Sequence, residues 1–224
     1  LTGRHDLQKY LELVGHGGTG KGTYTRIATL LVGEENRVAT DLKSLETNRF
    51  ESARLLRKRL TVVTDASRFG GEVSVLKSIT GGDALRYERK NVQAGNDYVY
   101  QGMVLMAANE HIQTSDYTSG LSRRRITVPF NHIITEDEKA RFPHFEERLT
   151  AELPGLLNKL LKLSETEITE TIRNPPDSIK LAKREAELDT NPILAWMTES
   201  LVQCHPNEES NIGNKSSDRH EFLY

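Results

Sequence analysis

The segment Gly15-His16-Gly17-Gly18-Thr19-Gly20-Lys21 constrains this chain more than any other feature. It follows a short apolar run, Tyr10-Leu11-Glu12-Leu13-Val14, and leads into a helical pattern from Gly22 to Leu31. Strand, glycine-rich loop and helix in that order form a nucleotide-binding βα unit. Such units build parallel sheets covered by helices, so the expected fold class is α/β.

The spacing Gly15-x-x-x-x-Gly20-Lys21 fits the Walker A pattern with one departure. Successive backbone N–H groups of such a loop curl around phosphate oxygens, and the helix N-terminus adds partial positive charge. Glycine permits the positive-φ turns and the close approach. Gly15, Gly17, Gly18, Thr19, Gly20, Lys21, Gly22 and Thr23 are therefore the candidate phosphate-binding residues, with ATP and Mg²⁺ as ligands. Lys21 would reach the β- and γ-phosphates as a point charge. The next residue is ordinarily Ser or Thr, whose hydroxyl ligates Mg²⁺. Here it is Gly22, so either Mg²⁺ is held through water and acids elsewhere or Thr23 substitutes.

Further candidates come from strand ends. Leu60-Thr61-Val62-Val63-Thr64 is a β-branched strand that ends in Asp65, the expected place for a metal-serving acid. An Asp that only caps a helix is the plainer alternative. A second acid, to polarise the attacking water, is not beside it, since Ala66 follows; Glu72 and Asp83 are the nearest later carboxylates. Met103 to Ala108 is a continuous apolar run, as in a strand buried on both faces. Asn109 follows it, where a neutral amide can hydrogen-bond both a γ-phosphate and water without competing for the metal. Arg123-Arg124-Arg125 opens a strand ending at Pro129-Phe130, and a guanidinium from it could stabilise phosphoryl-transfer charge. A solvated charged face or a nucleic-acid contact is the alternative for that triplet.

The rest of the pattern is coarser. Leu42 to Leu56 reads as a helix, and Gly71 to Lys77 opens another that closes near Gly81-Gly82. Ala84 to Glu88 and Tyr98 to Gln101 suit a hairpin. Helices are expected from about Glu136: Phe145 to Leu163, Ile179 to Leu188 and Ile193 to Gln203, with Trp196 as a core anchor of the last. Asn207 to Arg219 is polar, as in a linker. The expected organisation is a P-loop core over 1–132, a helical segment over 133–206, and a linker with the start of a further element over 207–224.

Taken in order, the phosphate loop, the strand ending at Asp65, Leu76-Lys77-Ser78-Ile79-Thr80-Gly81-Gly82-Asp83, Asn109, and Ser122-Arg123-Arg124-Arg125-Ile126-Thr127-Val128-Pro129-Phe130 resemble the superfamily 3 helicases. The resemblance is to the phage and plasmid primase–helicase branch, related to the poxvirus primase–helicase, and covers about Tyr10 to Asn131. It implies an AAA+-like fold, a homo-hexameric ring, ATP hydrolysis at subunit interfaces and translocation on single-stranded DNA. It also implies that a primase domain can stand in the same parent chain. By matching position, Lys21 binds phosphate, Asp65 serves the metal, Asn109 is the sensor, and Arg123 or Arg124 is a finger acting on the neighbouring subunit. A hairpin in that family touches DNA; the matching stretch here is Arg86 to Gln101, with Arg89, Lys90 and Asn91 as its contacts. Apart from the resemblance, Lys77 adds a cation one helix earlier. Gly22 and the missing second acid depart from the family pattern.

Composition fits this reading and sets its limits. The chain has 224 residues and carries Lys+Arg 30 against Asp+Glu 32, so a nucleic-acid site has to be a local patch. Arg86, Arg89 and Lys90, interleaved with Tyr87, Tyr98 and Tyr100, form such a patch; an exposed hairpin guarded by charges is the alternative. The single cysteine, Cys204, excludes a disulfide framework within the chain. The dispersed histidines offer no zinc spacing. No apolar run approaches the roughly 20 residues that span a bilayer, and the start at Leu1 reads as part of a longer cytoplasmic protein of bacterial, phage or plasmid origin. Two other functions fit parts of the pattern. Gly20-Lys21-Gly22-Thr23 also occurs in adenylate-kinase-like phosphate loops, and a DNA-binding assembly module with a degenerate nucleotide site would explain Gly22.

Overall fold

The computed structural model describes residues 4–64, 69–88, 95–116 and 119–201. Asp65, Arg89, Lys90, Asn91, Cys204 and the tail over 207–224 lie outside the described residues. The first part of the chain runs β1 (Tyr10–Val14), α1 (Lys21–Val32), β2 (Arg37–Asp41), α2 (Leu42–Thr47), α3 (Glu51–Arg54), β3 (Leu60–Thr64), α4 (Ser74–Gly81), β4 (Ala84–Leu85) and β5 (Tyr98–Val99). It continues with β6 (Met103–Ala108), α5 (Ser119–Ser122), β7 (Arg125–Pro129), α6 (Glu136–Arg141), α7 (Phe145–Leu160), α8 (Glu165–Arg173), α9 (Asp177–Thr190) and α10 (Pro192–Ser200).

Five strands form one parallel sheet in the order β2-β3-β6-β1-β7. Its two faces follow from side-chain alternation. Leu13, Leu60, Val62 and Leu105 point to one face, where Ala28 and Val32 of α1 cover them. Tyr10, Val63, Val104 and Met106 point to the other, against Leu42 and Leu45 of α2 and Leu76 and Ile79 of α4. β3 is buried over Leu60 to Val63, as its unbroken β-branched run requires. Its one polar member there, Thr61, donates to the Tyr100 hydroxyl at 2.8 Å.

The order also places the site. After β1 the chain crosses to β2 at the far edge, while after β6 it passes over β1 to reach β7. Connections therefore leave β1 and β6 in opposite directions, and the crevice outside the carboxyl ends of two such strands is where α/β sheets bind ligands.

Several elements differ from the sequence reading. The helix expected over Leu42 to Leu56 is broken into α2 and α3, because the Asn48 side chain accepts from the Phe50 amide at 3.1 Å and turns the chain. α4 starts at Ser74 rather than Gly71, and the Glu46 carboxylate caps it by accepting from the Val75 and Leu76 amides at 2.8 Å. The hairpin is reduced to Ala84 opposite Val99 and Leu85 opposite Tyr98 among the described residues. Edge strand β2 carries only Val38 and Thr40 as buried positions, too little apolar signal to announce a strand. Trp196 is 54% exposed and anchors no core, since α10 packs chiefly on α9. α9 lies against β7, its small Ala182 and Ala186 buried at the contact.

Candidate functional site

The phosphate loop leaves β1 at the crevice. Val14 pairs with Ala108 of β6 on one side and Pro129 of β7 on the other, so Gly15 and Asn109 leave the sheet side by side. Gly15 has φ +156, and a Cβ there would sit 2.1 Å from the Phe130 carbonyl oxygen. Only glycine lets the loop turn that close to the neighbouring backbone. Gly20 is the N-cap of α1 with φ 94, and no side chain caps the helix. With no acidic residue in its first turn, the N-terminus of α1 leaves its amides to an anion. Thr19 is buried and donates to the His16 carbonyl at 2.8 Å, and the Ile134 amide donates to the Gly18 carbonyl at 3.0 Å, which holds the outer rim. Gly17 faces open space.

Lys21 folds back over the loop. Its ammonium donates to the carbonyls of Gly15 and His16 and lies 3.3 Å from Asn109 Oδ1. Partial burial lowers its pKa from the ordinary lysine value. A cleft of about 470 Å³ opens beside these atoms, between Gly15 and His16, the turn from Asn109 to His111, and Glu185 and Asp189 of α9.

A buried ionic network underlies the turn. Glu12, in the middle of β1, is 0% exposed. One oxygen accepts from the Ile112 amide at 3.3 Å; the other lies 3.3 Å from His111 Nδ1, accepts from Thr127 Oγ1 at 3.1 Å, and is 3.6 Å from Arg125 Nε. Burial pushes the Glu12 carboxyl up, but the hydrogen bond from His111 and the Arg125 charge outweigh it and hold it below the ordinary range. The other ring nitrogen of His111 stands 3.8 Å from Asp189, so the turn after Asn109 is tied both to β1 and to α9. Sequence reading missed Glu12 and His111. The one available signal was a charged residue in an otherwise apolar strand, Leu11-Glu12-Leu13.

The other expected site residues are distributed unevenly. Thr23 does not face the loop: its hydroxyl donates to Glu146 of α7 at 2.8 Å, and Arg26 grips the same carboxylate. The position that ordinarily carries the metal-binding hydroxyl is Gly22, and the helix turns Thr23, one place further on, toward α7.

Lys77 is held by an ion pair with Asp116 at 3.0 Å, so the structure gives its charge a protein partner rather than leaving it to DNA. The arginine triplet splits three ways. Arg125 is buried and donates to the Tyr10 hydroxyl at 3.1 Å. Arg124 is also buried and donates to the Gly120 carbonyl at 2.8 Å. Arg124 is thus engaged within its own chain, which leaves Arg123 as the exposed member of the triplet. Arg123 is exposed, at the amino end of β7. By strand rise it lies about 20 Å from the phosphate loop of its own chain, beyond arginine's reach. Asp83 sits near Arg124, at that same far end of the sheet, and so is removed as a water-polarising acid.

A parallel sheet with a phosphate loop at its switch point defines a P-loop NTPase core of AAA+-like architecture, followed by helices. Comparison with solved structures agrees on the fold. The NrS-1 C-terminal region in its A form superposes with a TM-score of 0.65 at 16% identity, covering 87% of this chain and 44% of that one. JCV helicase, solved with a bound acetamide compound, superposes with a TM-score of 0.50 at 15% identity, covering 86% of this chain and 55% of that one. The fold is thus helicase-like, and the chain spans about half the length of these structures. Residues 13–125 match DUF5906, a family of unknown function, and the chain belongs to that family. The uncharacterized mitochondrial protein ymf20 of Marchantia polymorpha is 26% identical over 119 residues, 52% of this chain and 71% of that protein.

Proposed function

We propose that this chain is the ATP-hydrolysing motor of a DNA helicase. The observation that carries the reading is the convergence of Lys21 with Asn109 at the carboxyl ends of β1 and β6, 3.3 Å apart, over a loop whose Gly15 admits no side chain. The cradle fits a nucleotide triphosphate: amides at the N-terminus of α1 for the phosphates, Lys21 for the charge near the β- and γ-oxygens, and the Asn109 amide for a γ-oxygen or water. Mg²⁺, when bound with the nucleotide, neutralises charge on the β- and γ-phosphates. Asp65 is proposed to hold it, directly or through water; the Thr23 hydroxyl, engaged by Glu146, does not fit that task.

Arg123 is proposed to complete the site of a neighbouring subunit, which its exposure and its distance from its own loop both favour, in a ring of the hexameric kind. Single-stranded DNA is proposed to meet Arg89, Lys90 and Asn91. A primase domain in the same parent chain and a bacterial, phage or plasmid origin remain proposals of the family resemblance. No helix among the described residues is long and apolar enough to cross a membrane.

The test is ATP hydrolysis by the protein as single-stranded DNA is titrated, with Lys21→Ala as the comparison. DNA-stimulated turnover that Lys21→Ala abolishes is expected. Turnover stimulated by a nucleoside monophosphate would establish a kinase instead, and ATP binding with no turnover would establish an assembly module.

A further inference from the structure

No second acid stands beside Asp65, because Ala66 follows it; of the two later carboxylates, Asp83 lies at the far end of the sheet and Glu72 does not line the cleft. We infer that Glu110 is the carboxylate that activates the attacking water. The inference rests on the ATPase reading above.

Three observations converge on it. Lysine in a phosphate loop reaches the β- and γ-phosphates, so the Lys21 ammonium marks the γ-end of the nucleotide. That atom lies against Gly15, His16 and Asn109. The cleft of about 470 Å³ opens on this same group, and Glu110 lines it together with Asn109. In-line displacement needs the nucleophile on the side of the γ-phosphorus opposite the leaving oxygen, and the attacking water is assigned to this cleft, beside Asn109 and Glu110.

The second observation is rigidity. Ala108 is paired in the sheet, and Ile112 is 0% exposed with its amide on Glu12. His111 is held between Glu12 and Asp189. The turn carrying Glu110 is therefore fixed at both ends, as a group that must be pre-positioned requires. The third is availability: among the described residues Glu110 makes no hydrogen bond or ion pair, and it is exposed at the cleft. Glu185 lines the cleft from α9, but only Glu110 adjoins the sensor asparagine in the chain, one Cα step of about 3.8 Å away.

In the step assigned to it, the water oxygen forms a bond to the γ-phosphorus while the bond from that phosphorus to the β–γ bridging oxygen breaks. The bridging oxygen leaves on ADP. The proton of the water passes to the Glu110 carboxylate and from there to solvent, so ATP and water yield ADP, inorganic phosphate and a proton.

The experiment measures steady-state ATP hydrolysis and fluorescent ATP-analogue binding for the unmodified protein, Glu110→Gln, Glu110→Asp, Glu185→Gln and Glu72→Gln, with thermal melting as a check on folding. Glu110→Gln is expected to lower kcat by about 10²–10⁴-fold, the range for a positioned general base. Analogue affinity should stay within about threefold and the melting curve should be unchanged, because the residue is exposed and unpaired among the described residues. Glu110→Asp should recover part of the loss. Turnover by Glu110→Gln within about threefold of the unmodified protein would overturn the assignment, set against the loss expected of a general base. A comparable loss confined to Glu185→Gln or Glu72→Gln would overturn it as well. Failure of the unmodified protein to bind ATP would overturn the phosphate-loop reading itself, and this assignment with it.

Discussion

Replacing Glu12 by Ala should be among the most damaging single substitutions in this protein. The carboxylate is 0% exposed and Arg125 beside it is 4% exposed. Removing one partner of a buried ion pair leaves the other charge uncompensated, which typically costs about 3–5 kcal/mol. Arg125 would keep the Tyr10 hydroxyl at 3.1 Å and lose the carboxylate beside it, while Thr127 Oγ1 and the Ile112 amide would lose their acceptor. For a domain of this size each kcal/mol moves Tm by about 2–4 °C, so Tm should fall by about 6–20 °C. Thermal and urea unfolding followed by circular dichroism measure this. The double variant Glu12→Leu with Arg125→Met removes both charges, and should recover most of the loss. A single-variant cost below about 1 kcal/mol, or a double variant as unstable as the single, would refute the reasoning. The pH dependence has a definite sign. Glu12 is held below its ordinary pKa in the folded chain, so its contribution is present above the unfolded value of about 4.3. It is lost as pH falls through the lower folded value. The gap between the parent protein and Glu12→Ala should close in acid.

Gly15→Ala would place a methyl 2.1 Å from the Phe130 oxygen; the expected cost is about 1–3 kcal/mol of stability, together with loss of ATP-analogue binding, read by melting and titration. Arg123→Ala should bind ATP and fail to turn it over, and mixing it with Lys21→Ala should restore part of the activity where an intact loop meets an intact arginine. Mixed rings that never regain activity would place Arg123 outside the site.

Much of the candidate phosphate loop was legible because its geometry is a property of contiguous backbone. A strand, a run of glycines and a helix start are contiguous in the chain, and the positive φ of Gly18 and Gly20 is local conformational chemistry. The apolar run of Met103 to Ala108 likewise declared a central strand, and Asn109 at its end followed. Packing decided the rest. Arg123, Arg124 and Arg125 are the same residue type in adjacent positions, yet one is exposed and two are buried with different partners. Alternation along a strand, and the approach to its first residue, turn successive side chains apart. Thr23 looks available to a metal until α7, more than a hundred residues later in the chain, brings Glu146 to its hydroxyl. Glu12 reads as an intrusion in an apolar strand; only the arrival of β7 and the turn after β6 supplies the partners that make a buried charge tolerable. Local geometry is written in neighbouring residues, whereas the fate of a long polar side chain depends on whichever distant element the fold lays against it.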